Sequence, residues 1–186
     1  MDNISKIISS LSAIILTGVA LYGLREWKRQ LKGKTDYEIA RRYLKAALQM
    51  RDAIKFVRNP FIWMSEMQAA LKEHGFDSDE HENTKKTNRV VYSSRWKKVQ
   101  EARTNLEAEL LEAEVSWGAA AIDAQKNLDN LTKELFAALQ LFLDGDVKGN
   151  NTEYKLIYAV VTEDEFSVKI DAAIEEIRNF LKPHFK

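Results

Sequence analysis

The chain has 186 residues, with 28 Lys and Arg, 28 Asp and Glu, three His and no Cys. Its length fits one domain or one domain with an appendage, and 45% hydrophobic with 30% charged content belongs to a folded chain rather than a disordered one. The lack of Cys excludes a disulfide scaffold, thiolate-bound zinc and a Cys nucleophile, while 7 Gly and 2 Pro argue against sandwiches, barrels and Gly-rich phosphate loops.

The zero net charge conceals a split. Residues 1–59 carry 12 Lys and Arg against 5 Asp and Glu, and residues 60–186 carry 16 against 23. A basic end joined to an acidic one implies that the basic end faces something anionic, either nucleic acid or a membrane surface. The N-terminus favours the membrane. Ile7 to Leu24 is 18 residues without a charge, and a helix of that length spans about 27 Å, close to the hydrocarbon thickness of a bilayer. Ser9, Ser10, Ser12 and Thr17 are tolerable there, because a hydroxyl bonds back to its own helix. Tyr22 and Trp27 fall where an interfacial aromatic belt belongs.

Orientation follows from the flanks. Arg25, Lys28, Arg29, Lys32 and Lys34 come after the run, opposed only by Glu26. The positive-inside rule keeps that side in the cytoplasm, and the same cations are the expected lipid-binding residues. A cleaved signal peptide would carry its charges before the run, and a buried core helix is the other competing reading. The expected division is an anchor at 1–24, a basic neck at 25–34 and a cytoplasmic body at 35–186.

The body reads as all-α, a helical bundle or hairpin. Thr35-Asp36-Tyr37-Glu38 has the form of a capping box, opening a helix that Asn59-Pro60 stops near Arg58. That helix has two apolar stripes. Tyr37, Ala40, Leu44, Ala47 and Ile54 form one, and Ile39, Tyr43, Ala46, Met50, Ala53 and Val57 the other, so it packs against two neighbours. A shorter helix is expected over Pro60–His74. An acidic loop follows, with Asp77, Asp79, Glu80, His81 and Glu82.

From Asn88 to Asp144 there is no Pro and one Gly. Tyr92, Trp96, Val99, Arg103, Leu106, Leu110, Ala113, Trp117, Ala120 and Ala124 alternate in steps of four and three, which is a heptad seam. A stutter follows at Leu128, Leu131 and Leu135. The spacing predicts one very long, coiled-coil-like helix. Trp96, Leu106, Leu110 and Trp117 are the expected anchors for a partner helix or a second copy. Gly118-Ala119-Ala120-Ala121 is read as a place where the Tyr37–Val57 helix docks closely.

Tyr154 to Val161 is β-branched and aromatic, and reads as an extended segment. Thr162 to Glu165 resembles a second capping box. The last helix has the face Phe166, Ile170, Ala173, Ile174, Ile177 and Leu181.

Chemistry-bearing motifs are sparse. Asp144-Gly145-Asp146-Val147-Lys148-Gly149 starts like a calcium loop, but Lys148 and Lys155 occupy ligand positions, so it reads as a turn. No metal, cofactor or nucleic acid is expected, and no Ser/His/Asp set, phosphate loop or dinucleotide fingerprint occurs. Arg178-Asn179-Phe180-Leu181-Lys182-Pro183-His184 resembles the Arg-polar-x4-His motif of the HEPN ribonucleases. That resemblance implies Arg178 as a phosphate stabiliser and His184 as a proton carrier. Pro183 and the nearness of the terminus depart from the pattern.

A second resemblance rests on Trp27–Gly33, Ala40–Leu44, Val57–Ile62, Arg95–Lys98 and Leu106–Glu114. These blocks look like a set of uncharacterised bacterial and prophage single-pass membrane proteins with a cytoplasmic helical domain. The resemblance implies an inner-membrane anchor and a helical body, and it carries no site residue. The expected function is a membrane-anchored interaction or scaffold protein without catalysis. A ribonuclease effector using Arg178 and His184 is the alternative. A weaker one is an oligomeric membrane-disrupting effector, with Ser9, Ser10, Ser12 and Thr17 on a polar face.

Overall fold

A computed structural model describes the backbone of residues 2–76, 84–145, 152–159 and 164–185, and the side chains of 16–76, 85–145, 154–159 and 164–185. The elements are α1 (Asp2–Val57), α2 (Met64–Glu73), α3 (Thr84–Trp117), α4 (Ala120–Asp144), α5 (Thr152–Ile157) and α6 (Glu165–Leu181), then a 3₁₀ turn over Lys182–Phe185. Among the described residues every element is helical. The very long helix is α1, whose 56 residues run about 84 Å at 1.5 Å each.

The C-terminal half of α1 joins α3, α4 and α6 in a bundle. Contacts pair α1 with α3 and α6, and α4 with the same two. Side-chain pairs fix the directions. Arg42 meets Glu109 while Arg95 reaches the carbonyl of Asn59, so α1 and α3 are antiparallel. Arg89 meets Asp144 and Arg103 meets Asp129, so α3 and α4 are antiparallel as well. Lys55 pairs with Asp171 while Tyr37 packs edge-on against Phe185, which sets α6 antiparallel to α1. Both expected stripes of α1 enter the core. Ala40, Ala47 and Ile54 are buried from one, and Ile39, Tyr43, Ala46, Met50 and Val57 from the other. Two stripes serve two neighbours. The expected face of α6 is likewise buried throughout, from Phe166 to Leu181.

The expected single helix over Asn88–Asp144 is divided. Gly118 has φ +76° and its N–H donates to the Glu114 carbonyl at 2.7 Å, an αL cap that ends α3. The chain reverses there and α4 returns along α3. The seam holds as far as Trp117, then restarts out of phase, with Ala121, Gln125, Leu128, Thr132 and Leu135 buried instead of Ala120 and Ala124. The stutter in the sequence is the trace of this corner. The expected close docking of α1 on Gly118–Ala121 does not occur as such: Gly118, Ala119 and Ala120 are exposed and a Cβ on Gly118 would meet nothing within 4 Å, so α1 reaches the stretch only at Ala121, through the Tyr43 side chain. The Tyr43 hydroxyl lies 3.3 Å from the Ala121 carbonyl and 3.1 Å from Gln125 Oε1.

Other expectations are corrected. Thr35 does not cap a helix. It lies inside α1, its hydroxyl donating to the Leu31 carbonyl at 3.1 Å, because nothing from Leu24 to Asp36 breaks the helix beyond the modest cost of Gly33. The helix expected from Pro60 starts only at Met64, after an Asx turn in which the Phe61 N–H donates to Asn59 Oδ1. The segment expected to be extended from Tyr154 is helical over Thr152–Ile157. Tyr154 and Tyr158, one turn apart, both pack on Phe142, so tertiary packing overrides β-propensity. Val160 to Thr162 lie outside the described residues. Asp164 is the N-cap of α6, accepting from the N–H groups of Phe166 and Ser167. The acidic loop from Asp77 to Glu82, and Asp146 to Gly149, also lie outside the described residues.

Candidate functional site

The candidate site is the N-terminal half of α1 and its junction with the bundle. Among the described side chains Ile39 is the first buried one along α1. Asp36 and Tyr37 touch the bundle through Trp117 and Phe185, and from Leu16 to Thr35 no described side chain is buried. Leu16, Val19, Leu21 and Tyr22 are 64–73% exposed, and Leu24, Trp27 and Leu31 are exposed too. A Cβ added at Gly18, Gly23 or Gly33 would meet nothing within 4 Å. At 100° per residue, Leu16, Val19, Leu21, Tyr22 and Leu24 point in directions spread around the whole helix. Such a circumference is apolar on every side.

The described residues include no helix long and apolar enough to cross a membrane. The side chains of Ile7 to Ile15, half of the expected span, lie outside the described residues, as do Ser9, Ser10 and Ser12 of the suggested polar face.

Arg25, Lys28, Arg29, Lys32 and Lys34 are all exposed on this free helix. Arg29 bonds Glu26 at 2.8 Å, an i,i+3 surface pair, which is worth little in water. The structure therefore gathers the five expected lipid-binding residues into one collar directly after the apolar stretch.

Where α1 enters the bundle, two residues singled out for different reasons meet. The Trp117 indole stacks on the His184 ring with centroids 4.0 Å apart, and its N–H reaches Asp36 Oδ1 at 3.4 Å. Phe180 packs edge-on against Trp117. These aromatics brace the base of the free helix. Sequence spacing did not reveal this cluster, because its members come from α1, α3, α6 and the final 3₁₀ turn.

The other expected site residues lie elsewhere. Leu106 is 2% exposed in the core, and Trp96, Leu110 and Trp117 pack against that core. Trp96 stacks on Phe136 at 4.9 Å. The seam read as a partner surface is thus filled by the chain's own helices. Arg178 lies at the surface, paired with Glu175 at 2.6 Å, while His184 faces Trp117.

Two buried arginines escaped the sequence reading. Arg58 and Arg95 are each 1% exposed. Arg58 pairs with Asp164 at 2.7 Å and donates to Ser167 and the Leu156 and Lys155 carbonyls. Burial pushes the Asp164 carboxyl up, but the Arg58 and Ser167 hydrogen bonds outweigh it and hold the group below its ordinary range. Arg95 pairs with Glu66 at 2.6 Å and donates to the carbonyls of Asn59 and Phe61. Its hydrogen bond likewise lowers the Glu66 carboxyl. A groove of about 520 Å³ lies over this clamp, bordered by Trp63, Glu66, Lys97 and Lys98. Every donor of the clamp is engaged in holding the α1–α2 loop, so its chemistry is structural. No family model, curated protein or solved structure matches the chain.

Proposed function

We propose that this chain is a membrane-tethered helical interaction protein, anchored by a single N-terminal span and without catalysis. One observation supports it most: from Leu16 to Leu24 the apolar side chains of α1 point outward in every direction, and no part of the bundle approaches the glycines among them. A one-sided apolar stripe would suit a partner helix. A fully apolar circumference suits lipid. The uncharged run back to Ile7 extends it to the length of a span.

In this reading the collar of Arg25, Lys28, Arg29, Lys32 and Lys34 lies on anionic headgroups, each cation contributing on the order of 1 kcal/mol near the surface. The positive-inside rule puts the N-terminus outside and the bundle in the cytoplasm, and the resemblance to bacterial membrane proteins suggests the inner membrane. Beyond the headgroups the bundle leaves Phe61, Trp63 and Met64 61–73% exposed, apolar side chains open to a partner.

The experiment is carbonate extraction of membranes from cells expressing the full chain. The wild-type chain is expected in the pellet. A Leu16→Arg/Leu21→Arg variant is expected to shift to the supernatant, since an Arg at the centre of the span, as at position 16, costs about 3 kcal/mol of insertion and a second nearer its end adds a smaller cost. A wild-type chain released by carbonate rejects the tether.

A further inference from the structure

We infer that α1 carries a joint at Gly33–Thr35, where the long helix opens into two separately capped helices and lets the bundle swing on its neck. The inference goes beyond the proposed tether and stands whether or not the neck lies in lipid.

In the described structure α1 runs unbroken through this stretch, with the Thr35 hydroxyl donating to the Leu31 carbonyl at 3.1 Å. Such back-bonding weakens a helix slightly and tends to bend it. Gly33 adds the entropic cost of a glycine inside a helix. Among the described residues nothing outside the helix holds the stretch straight. From Leu16 to Thr35 no described side chain is buried, and a Cβ on Gly33 would meet nothing within 4 Å. The bundle takes hold one residue later. Asp36 accepts from the Trp117 indole N–H at 3.4 Å, and Tyr37 packs edge-on against Phe185. The joint thus ends where the bundle begins to grip.

The residues here supply both of the ends that a break needs. Thr35-Asp36-Tyr37-Glu38 has the form of a capping box that the continuous helix leaves unused. Once the helix opens before it, the Thr35 hydroxyl accepts from the Glu38 N–H and the Glu38 carboxylate accepts from the Thr35 N–H. On the other side Gly33 takes the left-handed conformation just past a helix end, and the N–H groups of Gly33 and Lys34 return to carbonyls of the last turn. Charge follows the same division. Arg29 and Lys32 fall in the last turn of the first helix, and Asp36 and Glu38 in the first turn of the second, each matching the dipole of its end. In the unbroken helix these groups lie far from either terminus. The i,i+4 neighbours across the joint, Lys32 with Asp36 and Lys34 with Glu38, run cation first, which is the weaker order. Gly23 also stands free, but Arg25 follows it where Thr35 follows Gly33, so a break there has no cap to open onto.

Spin-label distances in the detergent-solubilised full chain test the joint. The native chain has no Cys, so Tyr22→Cys/Lys45→Cys places one label on each side of the joint, at exposed positions. The unbroken helix holds them about 35 Å apart. Lys34→Pro in this background breaks the helix, because the residue before a proline avoids the helical region, and so marks the shorter distances of the open form. With the native joint, both the long distance and the shorter set are expected. Gly33→Ala/Thr35→Ala is expected to cut the shorter set by about tenfold or more, since the glycine cost and the cap are each worth about fivefold. Gly23→Ala is expected to leave it unchanged. The long distance alone with the native joint overturns the inference. So do shorter distances that survive Gly33→Ala/Thr35→Ala, or that vanish in Gly23→Ala.

Discussion

Asp164 does two jobs with one carboxylate. It caps α6 through the N–H groups of Phe166 and Ser167, and it neutralises Arg58, which is 1% exposed at the end of the buried half of α1. Asp164→Ala leaves a buried guanidinium without its charge partner, so a loss of about 3 kcal/mol or more is expected in urea unfolding of the detergent-solubilised chain. Because the folded Asp164 carboxyl lies below its ordinary range, its contribution is complete above the unfolded value of about 4 and is lost as the pH falls through the folded value. The stability gap between wild type and variant should therefore be wide at pH 7 and narrow in strong acid. A gap independent of pH would contradict this role. Nothing in the sequence marked Arg58 or Arg95 as buried. Arginine is ordinarily a surface residue, and its partners here lie 29 to 109 positions away, where no local period can point.

Elements were more legible than residues. The two stripes of α1 and the face of α6 are periodic signals written by burial; the α6 face is buried throughout, and the stripes are buried except at Tyr37, which is exposed, and at Leu44 and Ala53, which are half-buried. The four-three seam of α3 was also correct, up to Trp117. What it lacked was the corner. A single Gly in a long apolar pattern costs about 1 kcal/mol within a helix, so the pattern alone does not show whether the helix continues through it. Gly118 is decided by tertiary structure, because reversing there fills the α3 seam with α4. Gly118→Ala forces a side chain to φ +76°. The added Cβ has open space, so the cost is backbone strain of about 1–2 kcal/mol. A matching fall in the urea midpoint is expected, whereas Gly33→Ala on the free rod should leave unfolding of the bundle unchanged. A Gly118→Ala chain as stable as wild type would show that the corner needs no left-handed residue. The Tyr154 segment failed as a strand for the opposite reason: its β-propensity was real but weaker than the packing of Tyr154 and Tyr158 on Phe142.

For the whole molecule, charge and shape agree. The basic collar belongs to the free rod, and the acidic excess belongs to residues 60–186. From Leu24 to Ile39 the helix rises about 22 Å, more than twice the screening length of about 8 Å in physiological salt. In the proposed tether the acidic bundle is thus held beyond the reach of an anionic bilayer while the collar remains on it. Sequence alone gave the rod's apolar run and its collar, but not that both lie on one unbroken helix. Thr35 looked like a cap, and only the bundle shows that α1 continues through it. The central proposition is that the opening of α1 lies in lipid, and it is tested most directly by labelling single cysteines in intact membranes with a water-soluble maleimide. Ala20→Cys should resist labelling until detergent is added, while Thr35→Cys, on the same exposed helix, should label at once. Equal labelling of the two before detergent would contradict the tether.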